Sequence, residues 1–226
     1  MTAEVSGDYR ASARTRLRRR PQRAHYDRPT VHAILDSGAL CQIGYVDAGQ
    51  PLVLATIYWR DGERVYWHGS RQSRALLAMA GAQVCFTVSH LDGLVLARSA
   101  FRHSANYRAV MAFGTAVAVE AKPQKLAALK AMIERLYPGR WSQIRPPSEA
   151  ELASSTVLCL ELDEVSAKVR AEPPLDVESD LVLPVWSGVA PLKVCPGPLE
   201  PCARLTPPTG EASAVIDWSA VGAAVP

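Results

Sequence analysis

The densest chemistry in the chain lies in Tyr66-Trp67-His68-Gly69-Ser70-Arg71-Gln72-Ser73-Arg74. This stretch joins the end of a strand-like run to the start of a helix-forming one. Gly69 permits an unusual backbone angle. Ser70 and Ser73 bring hydroxyls that suit a helix cap. Arg71 and Arg74 bring guanidinium forks, which match phosphate oxygens in pairs. Backbone N–H groups at a helix start favour an anion. The chemistry available here is a phosphate grip; the plainer alternative is a capped helix with two solvated arginines. The five histidines are His25, His32, His68, His90 and His103, and their spacing supplies no metal-ligand set. His103, in the loop Phe101-Arg102-His103-Ser104, reads as a solvated histidine.

Other motifs are missing. There is no glycine-rich dinucleotide fingerprint, no Walker loop, no Gly-x-Ser-x-Gly and no His-Glu-x-x-His. No Cys-x-x-Cys pair exists among Cys41, Cys85, Cys159, Cys195 and Cys202. The first three sit in apolar runs and read as packing residues. Cys195 and Cys202 fall in a proline-rich tail and read as surface thiols.

A chain of 226 residues with 48% hydrophobic and 21% charged content excludes a disordered protein, collagen and a small disulfide scaffold. No run is long and apolar enough for a membrane span, and the N-terminus lacks the order of a secretory signal. A cytoplasmic location is the expectation. The net charge of +3 hides a cluster: Arg14, Arg16, Arg18, Arg19, Arg20, Arg23 and Arg28 face one acid, Asp27. No aromatic interleaves the arginines from 14 to 20, so nucleic-acid binding is not expected. Residues 1–28 read as a basic arm lying along the protein, with the barrel's apolar runs starting after Pro29.

The elements that must hold these residues follow from periodicity and turn signals. Pro29 opens a short helix with Val31, Ile34 and Leu35 on one face. Leu40–Val46, Leu52–Trp59 and Val65–His68 form a meander, with turns at 47–50 and at Asp61-Gly62. A helix over Ser73–Ala80 stops at Gly81. Gln83–Ser89 and Leu94–Ser99 read as two strands joined through Asp92-Gly93. Tyr107–Glu120 is a long strand, and Gly114 within it marks a bulge or a close approach. Lys122–Tyr137 is a helix that buries Leu126, Leu129, Met132, Ile133 and Leu136. Ser155–Lys168 is the last strand. The order favours a barrel over a parallel sheet.

With those elements in place, the sequence resembles the flavin-nucleotide-binding split-barrel proteins related to pyridoxamine 5'-phosphate oxidase, in the branch that holds the nitroimidazole-resistance proteins. The matching pieces include Asp27-Arg28, Ile43-Gly44-Tyr45-Val46, Pro51 to Tyr58, Val65 to Ser70, Asn106 to Val110, Gly139-Arg140-Trp141 and Val185 to Leu192. The resemblance implies a mainly β fold, a six-stranded antiparallel split barrel that dimerises around FMN. It divides the chain into an arm (1–28), a flavin domain (29–170) and a Pro-rich extension (171–226). It implies that Gly69, Ser70, Ser73 and Arg74 hold the phosphate, and that Leu54, Ala55, Thr56 and Tyr58 lie along the isoalloxazine edge. Arg108 matches the arginine that opens the family's long strand. Trp186 is implied as a lid, and His68 as the catalytic candidate. The implied activity is hydride transfer through FMN to a small planar substrate, with a reduced nicotinamide as donor. Haem or deazaflavin binding in the same barrel is the alternative, with His68 or His32 as the axial ligand of a haem, and a non-catalytic flavin protein is a third reading. Pro51, Thr56, Ala75 and Ala109 replace residues of true pyridoxamine phosphate oxidases, which argues against vitamin B6 oxidation.

Overall fold

A computed structural model describes residues 7–195, 197 and 198. A two-residue strand β1 (Ala24–His25) and helix α1 (Arg28–Asp36) lead into β2 (Leu40–Asp47), β3 (Gln50–Asp61) and β4 (Arg64–Ser70). Helix α2 (Arg74–Met79) precedes the long strands β5 (Gln83–Leu96) and β6 (Ser104–Thr115). The short β7 (Val117–Ala118), α3 (Lys122–Leu136) and α4 (Glu149–Ser154) follow. The last strands are β8 (Ser155–Glu161), β9 (Glu164–Arg170) and β10 (Gly188–Pro191). No helix of the described residues is long and apolar enough to cross a membrane.

The strands form one curled antiparallel sheet in the order β1-β9-β6-β5-β2-β3-β4-β8-β7, with β10 added to β5. Turn chemistry sets the register. Ala48 and Gly49 both take positive φ, at 48° and 77°, as the two-residue turn between β2 and β3 requires. Gly62, at φ 57°, makes the next hairpin. Asp27 caps α1 by accepting from the Thr30 N–H at 2.8 Å, and α1 buries Val31, Ile34 and Leu35.

Residues 155–170 close the barrel. The sequence predicts one strand over Ser155–Lys168, but the segment changes partners at Leu162-Asp163. β8 pairs with β4 and β7, whereas β9 pairs with β6 and β1. Leu162 is buried at the crossing, and its N–H donates to the Glu63 carbonyl at 2.8 Å. Counted as one member, this segment completes a six-membered ring with β2, β3, β4, β5 and β6. The split barrel is thus the observed fold.

Two local expectations are corrected, and at Gly114 one of two alternatives is selected. The two strands expected either side of Asp92-Gly93 are one, β5, whose ladder with β6 slips between Leu91 and Gly93. A bulge and a turn use the same residues, so the sequence does not separate them. Gly114 marks a close approach: a Cβ there would lie 2.7 Å from Leu160 Cδ1. On α3, Ala128 is the buried residue, and Leu129 and Met132 pack half-buried on Trp59, Tyr66, Val157 and Cys159. Leu126, Ile133 and Leu136 do not join that cluster.

The largest correction concerns the arm. Tyr9 is 5% exposed and belongs to the main core cluster with Val31, Ile34 and Val65. Its N–H donates to the Tyr26 carbonyl at 2.8 Å, and its hydroxyl donates to Glu63 at 2.7 Å. Arg14 pairs with Glu164, Arg23 with Glu172 and Arg28 with Glu63. The barrel's core therefore begins well before Pro29.

Cys41 and Cys159 are buried as expected, and burial pushes the Cys41 thiol up to about 12. Cys195 is exposed, and Cys202 lies outside the described residues.

Candidate functional site

The pairing of β3 with β4 covers only Tyr58–Asp61 and Arg64–Trp67. Beyond Tyr58 and Trp67 the two strands part. β4 stays with β8 as far as Ser70, and β3 stays with β2 as far as Gln50. The β4-facing edge of β3 over residues 50–57 has no strand partner among the described elements. Such an edge presents free backbone donors and acceptors. Leu54, Ala55 and Thr56 lie on one side of this split, and His68, Gly69 and Ser70 on the other.

The loop below the split is tightly built. The Ser73 N–H donates to the Ser70 carbonyl at 2.9 Å, and the Gln72 N–H to Ser70 Oγ at 3.2 Å. The Arg71 N–H donates to the Ser154 carbonyl at 2.8 Å. Ser73 caps α2 by accepting from the Leu76 N–H. A Cβ on Gly69 would lie 2.9 Å from Leu76 Cδ1, so glycine lets α2 sit close under β4. Arg74 reaches back to Asp47 at the β2–β3 turn, Nε to Oδ2 2.6 Å, and its side chain is 80% exposed. The sequence-derived set Ser70, Ser73 and Arg74 is therefore brought together at one rim of the split.

Tyr58 is turned the other way. It is buried in the core, edge-on to Phe86 at 5.2 Å, and its hydroxyl donates to the Leu35 carbonyl. What it can offer a ligand is its backbone. Alternation along β4 puts Trp67 inside the barrel, and Tyr66 and His68 on the opposite face. His68 meets Trp59 edge-on at 5.9 Å, and its buried Nδ1 has no hydrogen-bond partner among the described residues.

Two expected site residues lie elsewhere in this protomer. Arg108 is 6% exposed at the other end of the barrel. Its Nε and Nη2 each bond Asp92 at 2.9 Å, and Nη1 donates to Ser37 Oγ at 3.3 Å. His90 joins this cluster, its Nε2 3.1 Å from both Ser37 Oγ and the Ile34 carbonyl. Trp186 is 67% exposed and lies over Gly188 of its own segment. That segment is pinned as β10 along Gly93–Leu96 of β5. Asp176 holds it, accepting from the Arg98 backbone and guanidinium and from Ser187.

The sequence reading missed a cavity of about 440 Å³ at that same end, lined by Arg19, Arg20, Arg102, His103 and Lys168 among others. Its residues come from three distant segments, so no local motif announces it. Arginine density was the one available signal. No cluster of His, Cys, Asp and Glu fit to hold a bare metal ion occurs among the described residues.

Burial shapes the titration of three histidines. It holds His68 below its ordinary value of 6.5. It does the same for His32, helped by the Arg60 charge, and for His90 despite the bond to Ile34. A folded-state value below the unfolded one means that the fold favours the neutral ring. Its stability contribution is whole above pH 6.5 and is lost as pH falls through the lowered values. Thermal denaturation should therefore give a flat midpoint above about pH 7 and a falling one toward about pH 5. His68→Gln should remove part of that fall; a variant with the parent's full pH dependence would contradict the assignment.

The fold and the parted strands define a split-barrel protein of the flavin type. A family model described as pyridoxamine 5'-phosphate oxidase matches residues 27–169, and the chain belongs to that family. The flavocytochrome Anf3 of Azotobacter vinelandii is 42% identical, with 88% of this chain covering 94% of that one at a TM-score of 0.84. An FAD- and haem-binding protein of Mycobacterium smegmatis is 31% identical, with 83% of this chain covering 93% of that one at 0.80. A proposed 5-nitroimidazole antibiotic resistance protein of Bacteroides thetaiotaomicron shares the fold at 19% identity over 65% of this chain and 86% of its own, TM-score 0.52. No curated protein matches the sequence.

Proposed function

We propose that this chain is a homodimeric redox protein that binds a flavin nucleotide and a haem. The observation that carries the reading is the likeness, over most of both chains, to a flavocytochrome and to an FAD- and haem-binding protein. The expectation from sequence was FMN; these neighbours widen it to a flavin nucleotide with haem beside it.

The residues of the split fit a flavin. The free edge of β3 at Leu54–Thr56 offers peptide groups to the polar edge of the ring system. His68 is the first β4 residue beyond the pairing with β3, and its buried Nδ1 has no hydrogen-bond partner among the described residues. Ser70, Ser73 and Arg74 would hold a phosphate, with Arg74 leaving Asp47 for the stronger anion. Bound flavin supplies hydride transfer, and bound haem supplies single-electron exchange. The chain itself fixes the flavin's orientation and offers His68 as a neutral ring that holds or accepts a proton. The reaction proposed is oxidation or reduction of a small planar substrate, with a reduced nicotinamide as donor.

The outer face of the barrel supports a dimer. On β5, Val84, Phe86 and Val88 face the core, so Cys85 and Thr87 face outward. Beside them the outward positions of β2 and β3 include Leu40, Val46, Val53 and Ile57, which are 55%, 59%, 71% and 44% exposed. Leu40 and Ile57 are register partners on one surface. A monomer seldom leaves such a face bare. A second copy would cover it and bring its own Arg108 and Trp186 end toward the split, completing the site from two chains.

The test is the mass and absorption spectrum of the purified protein, as isolated and after addition of flavin and hemin. A dimer showing flavin bands and a Soret band is expected. The double substitution Val53→Asp and Ile57→Asp should yield a monomer with little flavin. A monomeric parent, or one that takes up neither cofactor, would overturn the reading.

A further inference from the structure

We infer that the open basic cavity noted above binds the linked phosphates of a nucleotide and seats the nucleotide's base on Phe101. None of the residues assigned to the split lines this cavity, so the site goes beyond the flavin and haem of the proposed function.

Three segments distant in sequence build it. The pairing of β1 with β9 sets Ala24 opposite Lys168, which brings Arg19, Arg20 and Arg23 beside β9. The pairing of β6 with β9 sets Tyr107 opposite Arg170, which brings Phe101, Arg102 and Ser104 of the β5–β6 connection to the same place. Part of the lining is fixed. The Arg170 side chain is 4% exposed, donates to Asn106 and pairs with Glu172. Arg23 bonds the same carboxylate. The hydrogen bond to Arg23, with the charges of Arg23, Arg170 and Arg20, holds Glu172 below the usual carboxylate range. That carboxylate is fully engaged.

The other cations have nothing comparable. Arg19, Arg20, Arg102 and Lys168 have no carboxylate within ion-pair distance among the described residues, and no acidic residue lines the cavity. Lys168 Nζ lies 5.9 Å from the Tyr107 ring centroid, and the Arg102 guanidinium 5.7 Å from that of Phe101. Cations gathered at one cavity repel one another unless an anion joins them. Linked phosphates present several charged oxygens along a short chain, and guanidinium forks match such oxygens in pairs.

The backbone adds a second sign. Arg20 is one of two described non-glycine residues with positive φ, at φ 59° and ψ 56°. Ala48, the other, sits in a turn that demands it. At Arg20 no hairpin does, and the following Pro21 favours extended backbone at this position. Such strain gathers where a ligand is held, and Arg20 stands in the cavity wall.

The base is argued from Phe101. It is 89% exposed, and a ring face with a guanidinium beside it is a platform on which bases stack. A volume of about 440 Å³ is in the range of small-ligand sites. A nucleic acid would call for further rings along the arm, and no aromatic interleaves residues 14–20.

The experiment is calorimetric titration of the full-length protein with ATP, with reduced nicotinamide adenine dinucleotide phosphate and with tripolyphosphate. At least one of the two nucleotides should bind once per protomer, more tightly than tripolyphosphate, and the tighter of the two identifies the source of the phosphates. Affinity should fall as salt rises. The double substitution Arg19→Gln and Arg102→Gln should weaken binding of all three about 10- to 150-fold. Phe101→Ala should weaken the nucleotide about 5- to 150-fold and leave tripolyphosphate unchanged. Melting temperatures of these variants should match the parent's. Arg18→Gln, exposed on the same segment but outside the lining, should bind as the parent does. An equal loss in Arg18→Gln would show diffuse charge rather than a site, and would overturn the inference. So would binding of an oligonucleotide with no binding of either nucleotide. Loss of nucleotide binding after saturation with FAD but not with FMN would give the cavity to the flavin cofactor and overturn it as well, while leaving the proposed function intact.

Discussion

Tyr9→Ala is expected to destabilise the fold by about 3–5 kcal/mol, the range for removing a large buried ring. The ring is packed with Val31, Ile34 and Val65, and the Arg28 guanidinium lies 4.3 Å from its centroid. Burial, and then Glu63, push its hydroxyl up, so it stays protonated and donates to Glu63. Tyr9→Phe keeps the ring and should cost only about 1 kcal/mol for the lost hydrogen bond. Denaturant midpoints of the two variants test this. A cost for Tyr9→Ala below that of Tyr9→Phe would show that the ring adds nothing to the core. The same packing reverses an expectation drawn from the sequence: removal of residues 1–20 should lower both stability and bound cofactor. It takes away Tyr9, the buried Thr15 and the Arg14–Glu164 pair together.

The second large effect is expected from Asp92→Ala. The Arg108 guanidinium is almost wholly buried, and Asp92 supplies two of its hydrogen bonds. Removing one partner of a buried ion pair typically costs about 3–5 kcal/mol. Asp92 is one-third exposed, so water can reach the gap and roughly 2–4 kcal/mol is expected. Asp92→Asn keeps the shape and one acceptor, and should fall between. Equal stability of all three proteins by denaturant unfolding would mean that Arg108 finds an equivalent partner in the variants.

Much of the barrel was legible because local signals agreed. The alternation Val84, Phe86, Val88 and the Asp61-Gly62 turn each admit one reading. The start of the first helix at Pro29 and the cap at Ser73 were equally plain. What was hidden depended on partners far along the chain. At Leu162-Asp163 the acids Glu161, Asp163 and Glu164 interrupt the apolar run, but a leucine between acids does not say that the two halves join different partners. Tyr9 stands alone among polar and basic residues, and only the floor of the barrel makes it core. The split was reached through resemblance, since a strand edge left bare by its neighbour has no sequence signature. His103 is exposed, as its loop sequence indicates.

The pairing of β1 with β9 sets Ala24 opposite Lys168 and His25 opposite Ala167. During synthesis the first strand must therefore wait for nearly the last one. Until residues near 170 emerge, Tyr9 and its neighbours have an incomplete floor to settle on. Closure of so long a loop precedes the contacts that reward it, which slows folding relative to a helical chain of this size. The arginine-rich segment is then a tether of high positive charge on an unfinished barrel. Like charges repel, so this charge opposes edge-to-edge pairing of unfinished copies.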